Sequence, residues 1–448
     1  MTYQDKKILV CGMGLSGVAA ANLILRQGAM LVLQDLRKEP DCPAELLEHA
    51  MVSTYFGKNP DEIVEDFDIL VLSPGIATYE PFVAKARAAG VEVIGEVELA
   101  ASLCPVPIVA ITGTNGKTTT TSMIGGIMSI FAPGSQVVGN IGIPFCQVVE
   151  DVPENVFVVA EVSSFQLETI KDFRPKISCV LNMTEDHLNR HITMEGYVAA
   201  KERIFENQDG TDFCVLNFDN GYTRLMADKT RAQVIFFSHN RLDSGVFVER
   251  GHIVTNWGGR PQRKIIAVDD LPVPGSHNLE NAMAAAAMAL AAGVPLDIIA
   301  RGLAAFKAVE HRLEFVRELD GVTFFNDSKA TNTDSAIKGL GAMSRPTILI
   351  GGGEDKGLDY SQWVRGFAGK VKCFIIIGEA GEKLAATCAE QGFKAFKQAG
   401  SMKEAVETAF AQAAAGDCVL LSPACASYDW FDNFEHRGLV FKQHVMEL

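Results

Sequence analysis

This sequence predicts an α/β protein built of three doubly wound domains. Short runs rich in valine and isoleucine recur, each followed by a glycine or small-polar turn and then by apolar residues three or four apart, the alternation of parallel strands with covering helices. At 448 residues and 48% hydrophobic content the chain is too long for one ordinary core and apolar enough to bury several. No fixed-period repeat relates the units, which argues for separate domains over a solenoid.

Strands are expected at 8–11, 31–34, 69–72 and 91–94, then at 108–111, 156–160, 177–181 and 213–216, and finally at 348–350, 374–377 and 419–421. Breaks fall at 95–107, where two prolines precede a fresh strand, and at 293–301, where an alanine-rich helix ends. The expected domains are therefore 1–95, 96–300 and 301–448. Residues 245–274 alternate Val, Ile and Trp with Gly, Arg and Thr and predict a small antiparallel patch on the middle domain.

A formal charge of -15 repels nucleic acid and anionic lipid, so any anionic ligand must be held by local cations. Ten cysteines are scattered without CxxC pairs, mostly inside apolar runs, as reduced thiols of a cytosolic protein would be. The amino terminus enters a strand directly, without a basic-then-apolar leader, and no apolar stretch is long enough to span a bilayer. A soluble, cytoplasmic protein is expected.

After the strand at 108–111 comes Thr112-Gly113-Thr114-Asn115-Gly116-Lys117-Thr118-Thr119, then apolar residues at helical spacing. Glycines let backbone N–H groups turn toward phosphate oxygens, the helix start adds partial positive charge, Lys117 neutralises outer phosphates, and Thr118 or Thr119 can ligate Mg²⁺. Only two residues separate these glycines, where the usual phosphate loop has four. A second glycine motif, Gly12-Met13-Gly14-Leu15-Ser16-Gly17, opens a helix and is followed by Asp35 at the end of the next strand. Alone it reads as dinucleotide binding, but Arg37 offers a cation for a second phosphate or a uracil ring, so it supports a nucleotide-shaped ligand without implying hydride chemistry. Ser73-Pro74-Gly75 follows another strand and either completes that pocket or is a plain turn.

Polar groups cluster beyond other strand ends, where open α/β sheets bind ligands. Glu161 and the pair Asp186-His187 are candidate Mg²⁺ or Mn²⁺ ligands beside a triphosphate, or ordinary surface residues. Lys201 reads on charge pattern alone as a solvated lysine. In the last third, His311-Arg312, the 326–331 run with Lys329, and the 351–356 run ending at Lys356 supply loop cations suited to carboxylate or phosphate capture, or to capping and surface charge.

Together these residues resemble the Mur ligase family along essentially the whole chain. The resemblance rests on GTNGKTT at 113–119, EVSSFQLE at 161–168, NMTEDHLNRH at 182–191, GSHNLENA at 275–282, NDSKATN at 326–332 and LLSPACASYDWFDNFEHRG at 420–438, six strings in family order. It implies a Rossmann-like N-terminal domain for a uridine diphosphate group, a central P-loop mononucleotide-binding ATPase domain, and a Rossmann-like C-terminal domain that closes on ATP and binds the amino acid. Its branch adds D-glutamate to UDP-N-acetylmuramoyl-L-alanine through an acyl phosphate, with ATP and two Mg²⁺ ions. By the same resemblance Gly14, Leu15, Ser16, Asp35, Arg37, Ser73 and Gly75 fall in the uridine-diphosphate pocket, and Asn140, Ser163 and Gln166 contact the sugar and peptide. Gly113, Asn115, Gly116, Lys117, Thr118 and Thr119 hold ATP phosphates, Asn278, Asn281, Arg312 and Asp327 reach the adenosine, and Thr118, Glu161 and His187 serve the metals. Lys329, Thr331, Lys356, Ser427 and the backbone at Phe434 surround D-glutamate, while Lys201 matches a lysine carbamylated by CO₂ that ligates the second metal. Position 428 is Tyr where an apolar residue is expected.

The resemblance also implies a monomer acting on small molecules, with neither nucleic acid nor membrane as partner. Two other readings stand beside it: a sister ligase adding a different amino acid, and a nucleotide-sensing NAD(P)-binding protein built on Gly12 to Gly17. No Asp-Asn-Pro-Arg string of the diamino-acid branch is present.

Overall fold

The computed structural model describes residues 3–140, 142–273, 275–307 and 310–448, with residue 189 described in its backbone alone. Its twenty strands form three sheets. The first holds β1 (Lys7–Cys11), β2 (Met30–Asp35), β3 (Val52–Phe56), β4 (Ile69–Leu72) and β5 (Glu92–Gly95), all parallel, in the order β3-β2-β1-β4-β5.

The second contains β6 (Ile108–Thr112), β7 (Gln136–Gly139), β8 (Val158–Glu161), β9 (Ile177–Val180), β10 (Phe213–Asn217), β11 (Gln233–Ser238), β12 (Val246–Glu249), β13 (His252–Thr255) and β14 (Arg263–Ala267), in the order β14-β13-β12-β11-β10-β9-β6-β8-β7. It is parallel as far as β12, and the expected antiparallel patch is β12 to β14, which extends its edge. The connection leaving β6 goes to one side of it and the connection leaving its neighbour β9 to the other, so the strand ends there form a crevice of the kind in which such sheets bind ligands.

The third sheet has β15 (Glu314–Leu319), β16 (Val322–Asn326), β17 (Thr347–Gly352), β18 (Val371–Ile377), β19 (Phe396–Gln398) and β20 (Cys418–Leu421), in the order β15-β16-β20-β17-β18-β19. Only β15 runs antiparallel to its neighbour.

The described residues divide into two compact units, Met1–Leu271 with Glu280–Phe306, and Pro272–Leu279 with Lys307–Leu448. In the first unit, one apolar cluster runs from Ile8 and Leu23 through Val97 to Phe145 and Val158, all at most 1% exposed, so the first two sheets share a core. The helix Glu96–Leu103 lies at that junction, packed against the helices Leu15–Arg26 and Phe145–Val148. In the second unit apolar clusters cover both faces of the third sheet, with Trp363 edge-on to Phe367 and Phe374. No helix among the described residues is long and apolar enough to cross a membrane.

Glu98, 2% exposed, is a polar staple inside this junction. Its carboxylate accepts backbone N–H groups of Lys171 (2.8 Å), Asp172 (2.9 Å) and Phe173 (3.0 Å), fastening the helix to the turn before β9. Removing a charged acceptor strands buried donors, so Glu98→Ala is expected to lower the unfolding free energy of the first unit by about 3 kcal/mol. Urea unfolding followed by intrinsic fluorescence measures it; a loss below about 1 kcal/mol would deny Glu98 this role.

Candidate active site

The glycine loop joins β6 to the helix Lys117–Phe131. Gly116 precedes the helix at φ 87°, a left-handed conformation, and a Cβ there would collide with Asn281 Oδ1, so only glycine fits. Two asparagines brace the loop from outside. The Asn115 N–H donates to Asn182 Oδ1 (2.9 Å) while Asn182 Nδ2 donates to the Asn115 carbonyl (3.0 Å), so the amide mimics a backbone pairing partner. Asn281 Oδ1 accepts from the Thr120 hydroxyl at 3.1 Å. Lys117 Nζ donates to the Gly113 (2.9 Å) and Thr114 (2.8 Å) carbonyls, which holds its cation at the loop mouth. Thr118 and Thr119 are buried in the first helical turn, and the Thr119 hydroxyl has no hydrogen-bond partner among the described residues.

Glu161 ends β8, next to β6, and is 2% exposed. Its Oε1 accepts from Asn140 Nδ2 (2.9 Å), while its Oε2 is buried without a hydrogen-bond partner among the described residues. An orphaned buried carboxylate oxygen is costly unless a cation or donor completes it. Beyond β9, His187 sits in the left-handed region (φ 54°), partly exposed, edge-on to Phe165 at 4.9 Å and 3.8 Å from Asp186. Lys201 is 1% exposed, donates to the Thr112 hydroxyl at 3.1 Å, and lies 5.0 Å from the Tyr197 ring centre. Burial, then the Lys117 cation, drives its pKa well below that of a free lysine, against the pull of Asp186 and Glu161. Its amine therefore favours the neutral form, and the surface-lysine reading of Lys201 is corrected.

No three His, Cys, Asp or Glu side chains converge on one point among the described residues. The buried Glu161 Oε2, without a hydrogen-bond partner among the described residues, suits Mg²⁺, which takes one or two protein carboxylates together with phosphate and water oxygens.

The N-terminal glycine motif gathers Gly14, Leu15 and Arg37 on a cavity of ≈ 680 Å³, and Gly75 on a neighbouring one of ≈ 510 Å³. Leu15 is 80% exposed at the helix start, with Ser16 half-buried behind it. Asp35 is spent within the protein: it accepts from the Met13 N–H (2.8 Å) and from Arg37 Nε (2.9 Å) and Nη2 (2.8 Å), contacts led by Arg37 that hold its pKa far below the usual carboxylate range. Gly12, at φ 90°, lets this loop approach Ser73, whose Cβ would lie 2.7 Å from an added Cβ. Ser163 and Gln166 form a capping box for the helix Ser164–Leu167, which occupies Ser163 Oγ and Gln166 Oε1.

In the second unit, Asp327 follows β16 fully buried. It accepts from the Ser422 hydroxyl (2.8 Å), and burial outweighs the Arg312 cation to push its pKa up to about 7. Lys329 Nζ lies 5.1 Å from the Phe434 ring centre, and Ser328 Oγ donates to the Phe434 carbonyl at the start of the helix Phe434–Glu447. Ser427 is buried nearby in sequence to β20, Asn278 is buried in the first turn of its helix, Thr331 is half-buried, and Lys356 is exposed on the loop after β17. Tyr428 is 70% exposed.

Several structural partners carry no local sequence signal. Arg437, wholly buried, donates to the carbonyls of Ser328, Cys425 and Ala426 and to Ser328 Oγ, tying two loops of the candidate amino-acid pocket to its own helix. Asn182 and Arg190 sit inside a quoted string, but their roles depend on neighbours distant in sequence.

A glycine loop between a central strand and a helix, beside an orphaned carboxylate, defines a phosphate-binding α/β protein. The chain belongs to the Mur ligase family: it matches the MurD-like N-terminal domain over residues 6–95, the Mur ligase middle domain over 111–289 and the glutamate ligase domain over 311–425. It is 45% identical to the UDP-N-acetylmuramoylalanine–D-glutamate ligase of Thermoanaerobacter pseudethanolicus and 44% to that of Alkaliphilus metalliredigens, with the whole of this chain aligned to 100% and 99% of theirs. Among solved structures, a pseudomurein peptide ligase type C from Methanothermus fervidus shares the fold at 18% identity and TM-score 0.63 (99% and 100% of the two chains). The MurF ligase from Thermotoga maritima in complex with ADP does so at 15% identity and TM-score 0.61 (99% and 96%).

Asp327 generates a pH prediction. Its folded pKa of about 7 lies above the ordinary 3.8, so the native state binds the extra proton, and stability is highest below the unfolded value and falls as pH rises toward 7. Asp327→Asn is expected to lack this term, so its second unit should gain on wild type between pH 4 and pH 8 by on the order of a few kcal/mol. Parallel denaturation curves at the two pH values check it; equal pH slopes would contradict it.

Proposed function

We propose that this chain catalyses the ATP-dependent addition of D-glutamate to UDP-N-acetylmuramoyl-L-alanine, a step of peptidoglycan precursor synthesis; its 45%-identical full-length relative is named a UDP-N-acetylmuramoylalanine–D-glutamate ligase. The observation that carries the proposal is the juxtaposition near the ends of β6 and β8: a phosphate-loop lysine, a carboxylate oxygen without a hydrogen-bond partner among the described residues, and a buried lysine held toward neutrality.

A carboxylate is a poor electrophile, so the L-alanyl carboxylate attacks the γ-phosphate of ATP, forming a new O–P bond as the bond to the bridging oxygen breaks, to give an acyl phosphate and ADP. The D-glutamate amine then adds to its carbonyl, and the tetrahedral intermediate collapses to amide and phosphate. Anion meets anion in the first step, so charge neutralisation and in-line positioning dominate the barrier. Lys117 and the N–H groups of Gly113, Asn115, Gly116, Thr118 and Thr119 hold the phosphates. Bound Mg²⁺ supplies Lewis-acid neutralisation, with Glu161, His187, Thr118 and a carbamylated Lys201 as its protein ligands. Asn278, Asn281, Arg312 and Asp327 serve the adenosine. Gly14, Leu15, Ser16, Asp35, Arg37, Ser73 and Gly75 take the uridine diphosphate, Asp35 by orienting Arg37 and the glycine loop. Asn140, Ser163 and Gln166 meet the sugar and peptide, and Lys329, Thr331, Lys356, Ser427 and the Phe434 backbone receive D-glutamate. Domains of 1–95, 96–300 and 301–448 carry these three tasks in a cytoplasmic monomer.

Against the NAD(P)-sensor reading, the acidic residue that should accept from a ribose hydroxyl is already saturated by Arg37 and Met13. A sister ligase is distinguished by assay: with UDP-N-acetylmuramoyl-L-alanine and ATP, phosphate release across an amino-acid panel should be fastest with D-glutamate. Preference for another amino acid would overturn the assignment.

Lys117→Ala should cut phosphate release by about 10²-fold or more with little change in melting temperature, since its ammonium neutralises charge and does not pack a core. Near-normal turnover would remove Lys117 from the site. Carbamylation of Lys201 joins the neutral amine to CO₂, forming an N–C bond and releasing one proton. Enzyme kept in CO₂-depleted buffer should therefore lose activity, regain it with bicarbonate, and show the mass of one CO₂ on Lys201. Lys201→Ala should be inactive and partly rescued by acetate. Indifference to CO₂ together with failed rescue would leave Lys201 an ordinary buried amine.

A further inference from the structure

Arg190 joins three parts of the first unit. Its Nε and Nη2 donate to Glu168 Oε1 (3.2 Å) and Oε2 (2.7 Å), a bidentate pair with side chains only 9% and 14% exposed. The same guanidinium reaches across to the loop after β4, donating to the Ile76 carbonyl (2.9 Å) and the Pro74 carbonyl (3.4 Å), the residues either side of Gly75. Its carbon lies 4.5 Å from the Phe165 ring centre, and Arg190 and Phe165 together line the ≈ 510 Å³ cavity that Gly75 borders. Glu168 Oε2 also accepts from the Thr78 hydroxyl (3.1 Å), a second tie to that loop.

The other end of this arrangement is the turn bearing His187. Arg190 stands on the single helical turn Leu188–His191, whose first bond runs from the Arg190 N–H to the His187 carbonyl (3.0 Å). Left-handed residues flank the turn, His187 at φ 54° and Ile192 at φ 68°, and such conformations persist in bulky residues only where surroundings over-determine them. The Phe165 ring touches both Arg190 and His187, so the side chains share one packed surface.

We propose that Arg190 is a positioning residue that couples the UDP-substrate pocket to the metal-bearing turn: it fixes the 73–78 loop against Glu168 and, through its own turn, the placement of His187. A hydrophobic side chain could fill this space, but only a planar fork can hold a carboxylate on one side and two carbonyls on the other. Substrate that orders the 73–78 loop then orders His187, and metal-nucleotide bound at His187 returns the favour by the same factor. The inference rests on the functional reading above, in which this cavity and loop take the UDP-linked substrate.

Calorimetric titration of full-length wild type, Arg190→Gln, Arg190→Lys and Thr78→Val with UDP-N-acetylmuramoyl-L-alanine, with and without Mg²⁺ and a non-hydrolysable ATP analogue, tests it. Wild type should bind substrate about fivefold or more tightly with metal-nucleotide present. In Arg190→Gln that enhancement should fall to about one and substrate affinity by about tenfold, while affinity for the analogue alone stays within about twofold. Arg190→Lys should fail to rescue, and Thr78→Val should lose part of the enhancement. Wild-type coupling that survives in Arg190→Gln and Arg190→Lys, rescue by lysine, or an equal loss for the analogue alone would overturn the proposal, the last by marking Arg190 as a general fold staple. Should Arg190→Gln not fold, Arg190→Lys and Thr78→Val decide the matter. Wild type that binds no UDP-linked substrate would instead sink the functional reading.

Discussion

Like charges crowd the end of β6, and the surrounding structure is arranged to tolerate them. Lys201 is buried within the field of Lys117, with its amine donating to the hydroxyl that closes the strand. Burial disfavours the charged form and the Lys117 ammonium adds repulsion, so the pKa of the buried amine falls well below that of a free lysine. Asp186 and Glu161 act in the opposite sense without overcoming burial. The site therefore sets a lysine whose charged form is disfavoured beside an under-coordinated carboxylate, a combination unfavourable in an inert core and useful where cations and phosphates arrive together.

Such a cluster keeps its geometry only if its backbone cannot relax. Asn182 pairs with both polar groups of Asn115, Asn281 bonds Thr120 and crowds Gly116, and Thr114 Oγ1 links the loop to Thr184 and Tyr197. These braces come from the loop after β9, from the helix Ser276–Ala291 and from the helix Met194–Glu202. The burial that joins the first two sheets, stapled by Glu98, gives those elements a common frame. Packing energy is thereby converted into polar preorganisation, the form in which a site for phosphoryl transfer needs it.

Legibility in the sequence followed the same division. Buried central strands announced themselves as apolar runs: β1, β4, β6, β10, β17, β18 and β20 contain the expected segments whole, and β9 all but Leu181. The edges β3, β7 and β19 did not, because a short or half-exposed strand has little apolar signal; β11 was missed although residues 234–237 form an apolar run. The β15–β16 hairpin was missed although Asp320-Gly321, at φ 51° and 78°, is a turn signal for two left-handed residues. Lys117 and Glu161 were readable because each sits next to its strand in the chain. Lys201 read as a surface lysine on its own helix, since its burial is imposed by contacts such as that with Thr112, far away in sequence.

The N-terminal glycine motif shows how a correct local reading can leave chemistry open. Gly12 turns and Gly17 packs as the dinucleotide pattern requires, since an added Cβ at Gly17 would collide with the Gly12 carbonyl. The acidic residue at the end of β2 is also in place. Two residues later, however, Arg37 folds back onto that carboxylate and also donates to the Met13 carbonyl, closing the carboxylate, the loop and the guanidinium into one rigid group. An acceptor awaiting a ribose hydroxyl has become the anchor of a cation, while Leu15 stands exposed beside the cavity that Arg37 borders. One arginine at a fixed offset thus changes what the motif presents, from a lone negative acceptor to a planar donor surface beside an apolar face, and a flat polar base joined to phosphate suits such a surface.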